Sequence, residues 1–161
     1  MDELRIRVSL DGQRLELIDG RAVLKSYSVS TSKHGAGEKA GSYRTPRGRH
    51  VVHSMIGAGE PAGTVFRGRQ KTGEIYSEEL ASLHPGRDWV LSRILWLSGT
   101  EAGRNFGGDV DTLRRYIYIH GTPYADALGA PASIGCIRMS DEDVIELYDL
   151  VSPGTVVDIE A

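Results

Sequence analysis

The chain has 161 residues, 40% of them hydrophobic and 25% charged, with a formal net charge of −3. Those values fit a single globular domain over residues 1–161 and weigh against nucleic acid, a polyanion, as a partner. No apolar stretch approaches the ~20 residues that cross a bilayer, and Met1-Asp2-Glu3 is acidic with no apolar run behind it, so a cytoplasmic location away from membranes is expected.

The N-terminal third reads as a β meander. Leu4, Ile6, Val8 and Leu10 alternate with Arg5, Arg7 and Ser9, the period of two of a half-buried strand. Asp11-Gly12 is a hairpin turn, Leu15 to Ile18 a return strand, Asp19-Gly20 a second turn, and Ala22 to Ser30 a third strand. Ser32 to Gly41 is a polar loop, and Val51 to Ile56 is a further strand. Gly57 to Gly73 is glycine-rich and basic, with Arg67, Arg69 and Lys71. It lacks the Gly-Lys-Ser/Thr ending of a phosphate loop and is expected to be a loop beside a cleft. Asp88 to Gly99 gives one or two strands, with Trp89 and Trp96 in the core. Gly99 to Gly108 is a second glycine-rich loop with the same expected position.

Tyr116 to Ile119 forms a strand that His120 ends, because Gly121, Thr122 and Pro123 follow at once. Tyr118 shares a face with His120, where it lines the cleft or packs. Tyr124 to Ser133 is an Ala-, Gly- and Pro-rich loop. Ser140-Asp141-Glu142-Asp143 then has the form of a capping box, with Asp for the usual Glu. Val144, Leu147, Tyr148 and Val151 make one apolar helix face, Pro153-Gly154 stops the helix, and Thr155 to Ile159 is the last strand. The sum is a mostly β domain, antiparallel and sandwich-like, with a short helix near the C-terminus.

Cys136 is the only cysteine, and His120 precedes it by 16 positions. One thiol and one imidazole are the minimum for a cysteine nucleophile with its base. Gly135 immediately before the thiol allows a sharp turn and close approach of substrate. The rival use of Cys and His, a metal site, finds no support in the spacing. Cys136 is the sole thiol, and His50 and His53 sit three apart on a strand and face opposite ways. His34, His53 and His84 are expected to be ordinary polar residues, and His50 is placed on the strand that runs under the site.

With Thr45-Pro46-Arg47-Gly48 leading into a strand, His120-Gly121-Thr122 at a strand end, and Ser133-Ile134-Gly135-Cys136-Ile137-Arg138 downstream, the chain resembles the L,D-transpeptidase catalytic domain, the YkuD family, from about Leu4 to Ile159. One position departs from the family pattern: Ile134 stands where a second histidine is usual. The resemblance implies the same β fold, no cofactor, and covalent acyl transfer on peptidoglycan stem peptides or muropeptides. In that scheme His120 takes the Cys136 proton, with an ion pair expected in the free protein, and the backbone carbonyl of Gly121 orients the imidazole. Backbone N–H groups of Gly135 and Cys136 are the candidate oxyanion donors. Arg138 binds a substrate carboxylate or shapes its loop. Ser133 holds the turn or helps orient His120.

Attack at the carbonyl of the third stem residue would expel a terminal D-alanine. With water as acceptor the result is an L,D-carboxypeptidase. With another stem's amine it is an L,D-transpeptidase. The expected cytoplasmic location favours the first, trimming tetrapeptide muropeptides during wall recycling. Carbapenem-type β-lactams are the inhibitors that the resemblance implies, and the sequence shows no protein partner. A reading of a different class is a non-catalytic peptide-binding domain. Ile134 leans toward it, whereas His120, Gly135, Cys136 and Arg138 lean against it.

Overall fold

The computed structural model describes residues 4–161. Ten strands and two helices follow in chain order: β1 Leu4–Ser9, β2 Arg14–Asp19, β3 Ala22–Ser28, β4 Gly48–Ile56, β5 Thr64–Arg67, β6 Gln70–Ile75, α1 Glu78–Leu83, β7 Val90–Gly99, β8 Tyr118–Thr122, β9 Ile137–Ser140, α2 Asp141–Leu150 and β10 Val156–Glu160. The predicted meander forms as β1–β2–β3, with the third strand ending at Ser28.

All strands join one sheet, in the order β3-β2-β1-β10-β4-β7-β5-β6. Long β7 is the branch point. One edge pairs with β4 and then β5, and the other pairs with β8, which in turn pairs with β9. A bulge between Leu91 and Ile94, with Ser92 at φ 72°, breaks the register where the partners change. Pairing is antiparallel except at β1–β10 and β8–β9. Past β3 the chain returns to the far edge, where Ser30 bridges Arg138 and Ser32 bridges Ser133, so the sheet curls over its own core.

The main cluster of that core includes Ile6, Val8, Leu15, Leu95, Leu97, Ile119, Ile137 and Met139, all fully buried, and two smaller clusters form around Trp89 and around Phe66 and Ile94. Side chains of this kind contribute about 1.5–3 kcal/mol each when taken out of water. Helix α2 supplies Val144 and Leu147 to the main cluster and packs on β7, β8 and β9. The hydroxyl of Ser140 caps it by accepting from Asp143 N at 3.0 Å, and three acids sit in its first turn.

Two elements differ from the sequence reading. The stretch expected as a loop from Gly57 to Gly73 contains the β5–β6 hairpin. Val65 and Phe66 are buried there, and Gly68 and Arg69 take φ 56° and 66°, a pair of left-handed residues that suits a tight two-residue hairpin turn. Glycine content points to a loop here because it marks the turns and not the short strands between them. Helix α1, capped by Ser77, had no counterpart in the sequence reading. Its six residues bury none of their side chains, so no apolar periodicity announces it. The stretch from Asp88 to Gly99 is a single strand from Val90 on. The loop after it makes its bonds to the start of β4, where Asn105 Nδ2 donates to the Arg47 and Arg49 carbonyls.

His50 lies fully buried on β4, with Nδ1 on the Gly48 carbonyl at 3.0 Å and Nε2 on Thr112 Oγ1 at 2.9 Å. Both ring nitrogens are therefore used in holding the fold. Burial pushes its pKa down to about 4, so the unfolded chain binds the extra proton first. The stability His50 contributes is complete above its unfolded value near 6.5 and is lost as pH falls toward 4. The full loss is about 3 kcal/mol by proton linkage. Denaturant melts between pH 7 and pH 4 should show this decline, and His50→Gln should flatten it. A stability independent of pH over that window would contradict this assignment.

Candidate active site

The site forms where β9 begins beside the middle of parallel β8, which starts at Tyr118 rather than Tyr116 and runs through His120 to Thr122, so the histidine is inside the strand and not at its end. β8 carries His120, β9 follows Cys136, and their register sets Ile119 against Ile137 and His120 against Arg138. The turn before β9 is held from several sides. Ser133 Oγ donates to the Cys136 carbonyl at 2.6 Å and accepts from Gly135 N at 3.2 Å. Thr45 Oγ1 donates to the Gly135 carbonyl at 2.9 Å while accepting from Ser32 N at 3.0 Å. Gly135 itself sits at φ 135°, a conformation that strains other residues, and an added Cβ would press on Ile117.

These bonds settle several expectations. Ser133 is a turn residue, and its hydroxyl is used up inside the turn. The Gly135 N–H, expected among the oxyanion donors, is turned into Ser133 Oγ. Thr45 is the residue that the sequence reading left without a role. It is fully buried and ties the Thr-Pro-x-Gly turn to the nucleophile's own turn, so the motif works as a clamp.

His120 is also fully buried. Its Nδ1 lies 2.7 Å from the Gly121 carbonyl, and Nε2 has no hydrogen-bond partner. An Nδ1–H donating to a carbonyl leaves the Nε2 lone pair free. Gly121 is the residue that fits there, because a Cβ would collide with Asp141 Oδ1 and the Leu91 carbonyl. Burial lowers the His120 pKa, the Gly121 bond and Asp88 oppose that, and Arg138 adds to it.

Cys136 Sγ accepts from Tyr118 N at 3.3 Å and points its proton toward the Tyr116 carbonyl at 3.5 Å. Tyr116 holds φ 56°, the left-handed region that a bulky residue seldom occupies. Burial pushes the thiol up to about 12. The Tyr118 N–H opposes this, as do Arg138 and Arg115, while Asp88 adds to it. Sγ and His120 Nε2 make no hydrogen bond to each other, so the expected ion pair is not formed in this structure. Burial disfavours the charged form of both groups and so favours a neutral thiol beside a neutral imidazole.

Arg138 is nine-tenths buried. Its Nη2 donates to Asp88 Oδ1 at 2.9 Å, and Nη1 faces the Ala132 carbonyl at 3.4 Å. Of the two roles open to it, the bonds match the structural one. Asp88 acts electrostatically on both His120 and Cys136, and nothing in its local sequence signals this. Hollows flank the pair. One of about 550 Å³ is lined by Arg67, His84, Arg87 and Asp88, and the other, of about 390 Å³, by Tyr124, Ala132 and Arg138. Tyr118 packs in the apolar cluster that Cys136 adjoins, and its hydroxyl accepts from Arg69 on the β5–β6 hairpin at 3.0 Å. Ile134 is about half exposed on the same turn as the thiol.

The sequence profile of the YkuD family, the L,D-transpeptidase catalytic domain, matches residues 3–159. The chain belongs to this family. The YkuD protein of Bacillus licheniformis is 28% identical over 156 residues, which is 96% of this chain and 64% of that relative. An L,D-transpeptidase from Mycobacterium smegmatis superposes with a TM-score of 0.63 at 22% identity, over 99% of this chain and 59% of its own. L,D-transpeptidase 3 from Mycobacterium tuberculosis, solved with a faropenem-derived adduct, gives 0.62 at 17% identity, over 99% and 61%. At those identities the structures establish the YkuD fold. This chain spans under two-thirds of the length of each of the three relatives.

A neutral resting thiol has a measurable signature. The rate of iodoacetamide alkylation at Cys136 should climb steadily through pH 9 and 10 in the free protein, as burial of the thiol demands. A plateau reached below pH 8 would mean a preformed thiolate and would contradict this geometry.

Proposed function

We propose that the chain catalyses Cys136-dependent acyl transfer on peptidoglycan stem peptides. The observation that carries this is the buried, unpartnered Nε2 of His120, fixed as the acceptor by the Nδ1 bond to Gly121, on the strand that pairs with the one Cys136 leads into. In the proposed cycle Sγ attacks the carbonyl carbon of the third stem residue as its proton passes to His120 Nε2. The Cys136 N–H is the oxyanion donor, since Gly135 N–H is engaged elsewhere. Collapse breaks the C–N bond. The Nε2 proton goes to the departing D-alanine amine, and a thioester remains on Cys136. A second nucleophile then gives its proton to Nε2 as it attacks the thioester carbonyl, the C–S bond breaks to release the acyl group, and Nε2 returns the proton to the Cys136 sulfur.

The second nucleophile divides the proposal. An amine of another stem makes the chain an L,D-transpeptidase. The family's description supports this. Water makes it an L,D-carboxypeptidase that trims tetrapeptide muropeptides, with a cytoplasmic place in wall recycling. That reading requires only one peptide site. Penem and carbapenem β-lactams acylate the same sulfur in either case, in line with the adduct held by the Mycobacterium tuberculosis relative.

Incubation with a disaccharide tetrapeptide, with and without excess D-amino acid, separates these outcomes by mass. Exchange or cross-linked products identify the transpeptidase, and tripeptide insensitive to added amine identifies the carboxypeptidase. Cys136→Ala should abolish both, and His120→Gln should lower turnover by about 100-fold or more. Turnover that survives Cys136→Ala would overturn the proposal.

A further inference from the structure

Three arginines lie close to Cys136 or to the tyrosine that bonds it, and two of them are already engaged. Arg138 is held by Asp88 and faces the Ala132 carbonyl. Arg115 donates to the Gly37 carbonyl, Ser42 Oγ and the Arg44 carbonyl. Arg69 differs. Its guanidinium carbon lies 4.9 Å from the Trp96 ring centroid and 4.8 Å from that of Tyr116, and Nη1 donates to the Tyr118 hydroxyl at 3.0 Å. Among the described residues that is its only hydrogen bond, and it joins no ion pair. Tyr118 in turn gives its backbone N–H to Cys136 Sγ, so one tyrosine separates Arg69 from the reacting sulfur.

We propose that Arg69 is the receptor for a carboxylate of the acyl donor, and so a specificity-determining residue of the acyl transfer proposed above, on which this inference rests. Two aromatic faces and one phenol hold the guanidinium before substrate arrives. Little rotamer entropy is then left to lose, and the remaining N–H donors are free for a charge-assisted contact. The half-buried setting strengthens that contact over one in water. A stem tetrapeptide offers two carboxylates near the scissile bond: that of the terminal D-alanine, and one on the side chain of the third residue where it bears an acid. Arg69 binds one of these, and Arg138 keeps its structural ion pair.

The test compares the free-acid tetrapeptide with two amidated forms, one at the terminal carboxylate and one at the third-residue side chain. Binding is measured by calorimetry on Cys136→Ala protein and turnover on the intact enzyme, each with and without Arg69→Gln. One amidation should weaken binding about tenfold or more. That amidation should have no further effect once Arg69 is Gln, and Arg69→Lys should restore part of the discrimination. The sensitive form identifies which carboxylate is held. An amidation penalty that persists in Arg69→Gln, or no penalty in either protein, overturns the assignment. So does a loss in Arg69→Gln equal for all three peptides, which would make the residue a hairpin latch. Failure of the acyl-transfer reading looks different: no Cys136-dependent turnover of any peptide.

Discussion

His120 is buried with one nitrogen held on the Gly121 carbonyl at 2.7 Å, and an imidazole so held has one neutral tautomer to adopt. The rest of the site follows from this constraint. A carbonyl orients the ring without a full negative charge, so it only partly offsets the burial that disfavours the charged ring. A carboxylate in its place would favour the imidazolium and remove the lone pair that must accept the thiol proton. The contact requires backbone at very close quarters. Leu91 on β7 and Asp141 at the start of α2 press against Gly121 where a side chain would stand. The bulge in β7 and the placement of α2 thus serve the tautomer of one histidine.

The thiol is managed in the same way. Tyr118 N–H and the Tyr116 carbonyl hold the neutral sulfur, and Asp88 and Arg138 bias it in opposite directions. A site of two neutral partners stores no charge separation at rest. The proton transfers when a carbonyl carbon is there to receive the sulfur's electrons and a backbone donor is there to receive the oxyanion's charge. Thr45, Ser133 and the left-handed Gly135 fix the turn that presents the sulfur, and Tyr116 accepts an unfavourable backbone conformation nearby. Strain at such a position is typical of residues held in place by their surroundings for a functional purpose.

Much of this was legible in the sequence because local rules decide it. The two Asp-Gly turns, the alternation of Ile6 and Val8, and the Ser140 cap with its apolar helix face each point to the element that forms. The nucleophile and base stood out because a single cysteine follows a His-Gly-Thr run, although His120 lies inside β8 and not at the strand end that the glycine and proline behind it suggest. What remained hidden depends on the long-range closure of the sheet. Thr45 meets Gly135 across 90 positions, and Asp88 meets Arg138 across 50, so neither pairing leaves a local trace. The β5–β6 hairpin was lost among its own glycines. The neutral state of the thiol and imidazole is a consequence of burial, which a motif does not report.

The chemistry of the site turns on the tautomer and charge of His120. Nitrogen-15 NMR of the imidazole in the free protein tests it directly. The geometry predicts a protonated Nδ1 and a bare Nε2 at neutral pH. A proton on Nε2 in the neutral ring, or an imidazolium at pH 7, would contradict it.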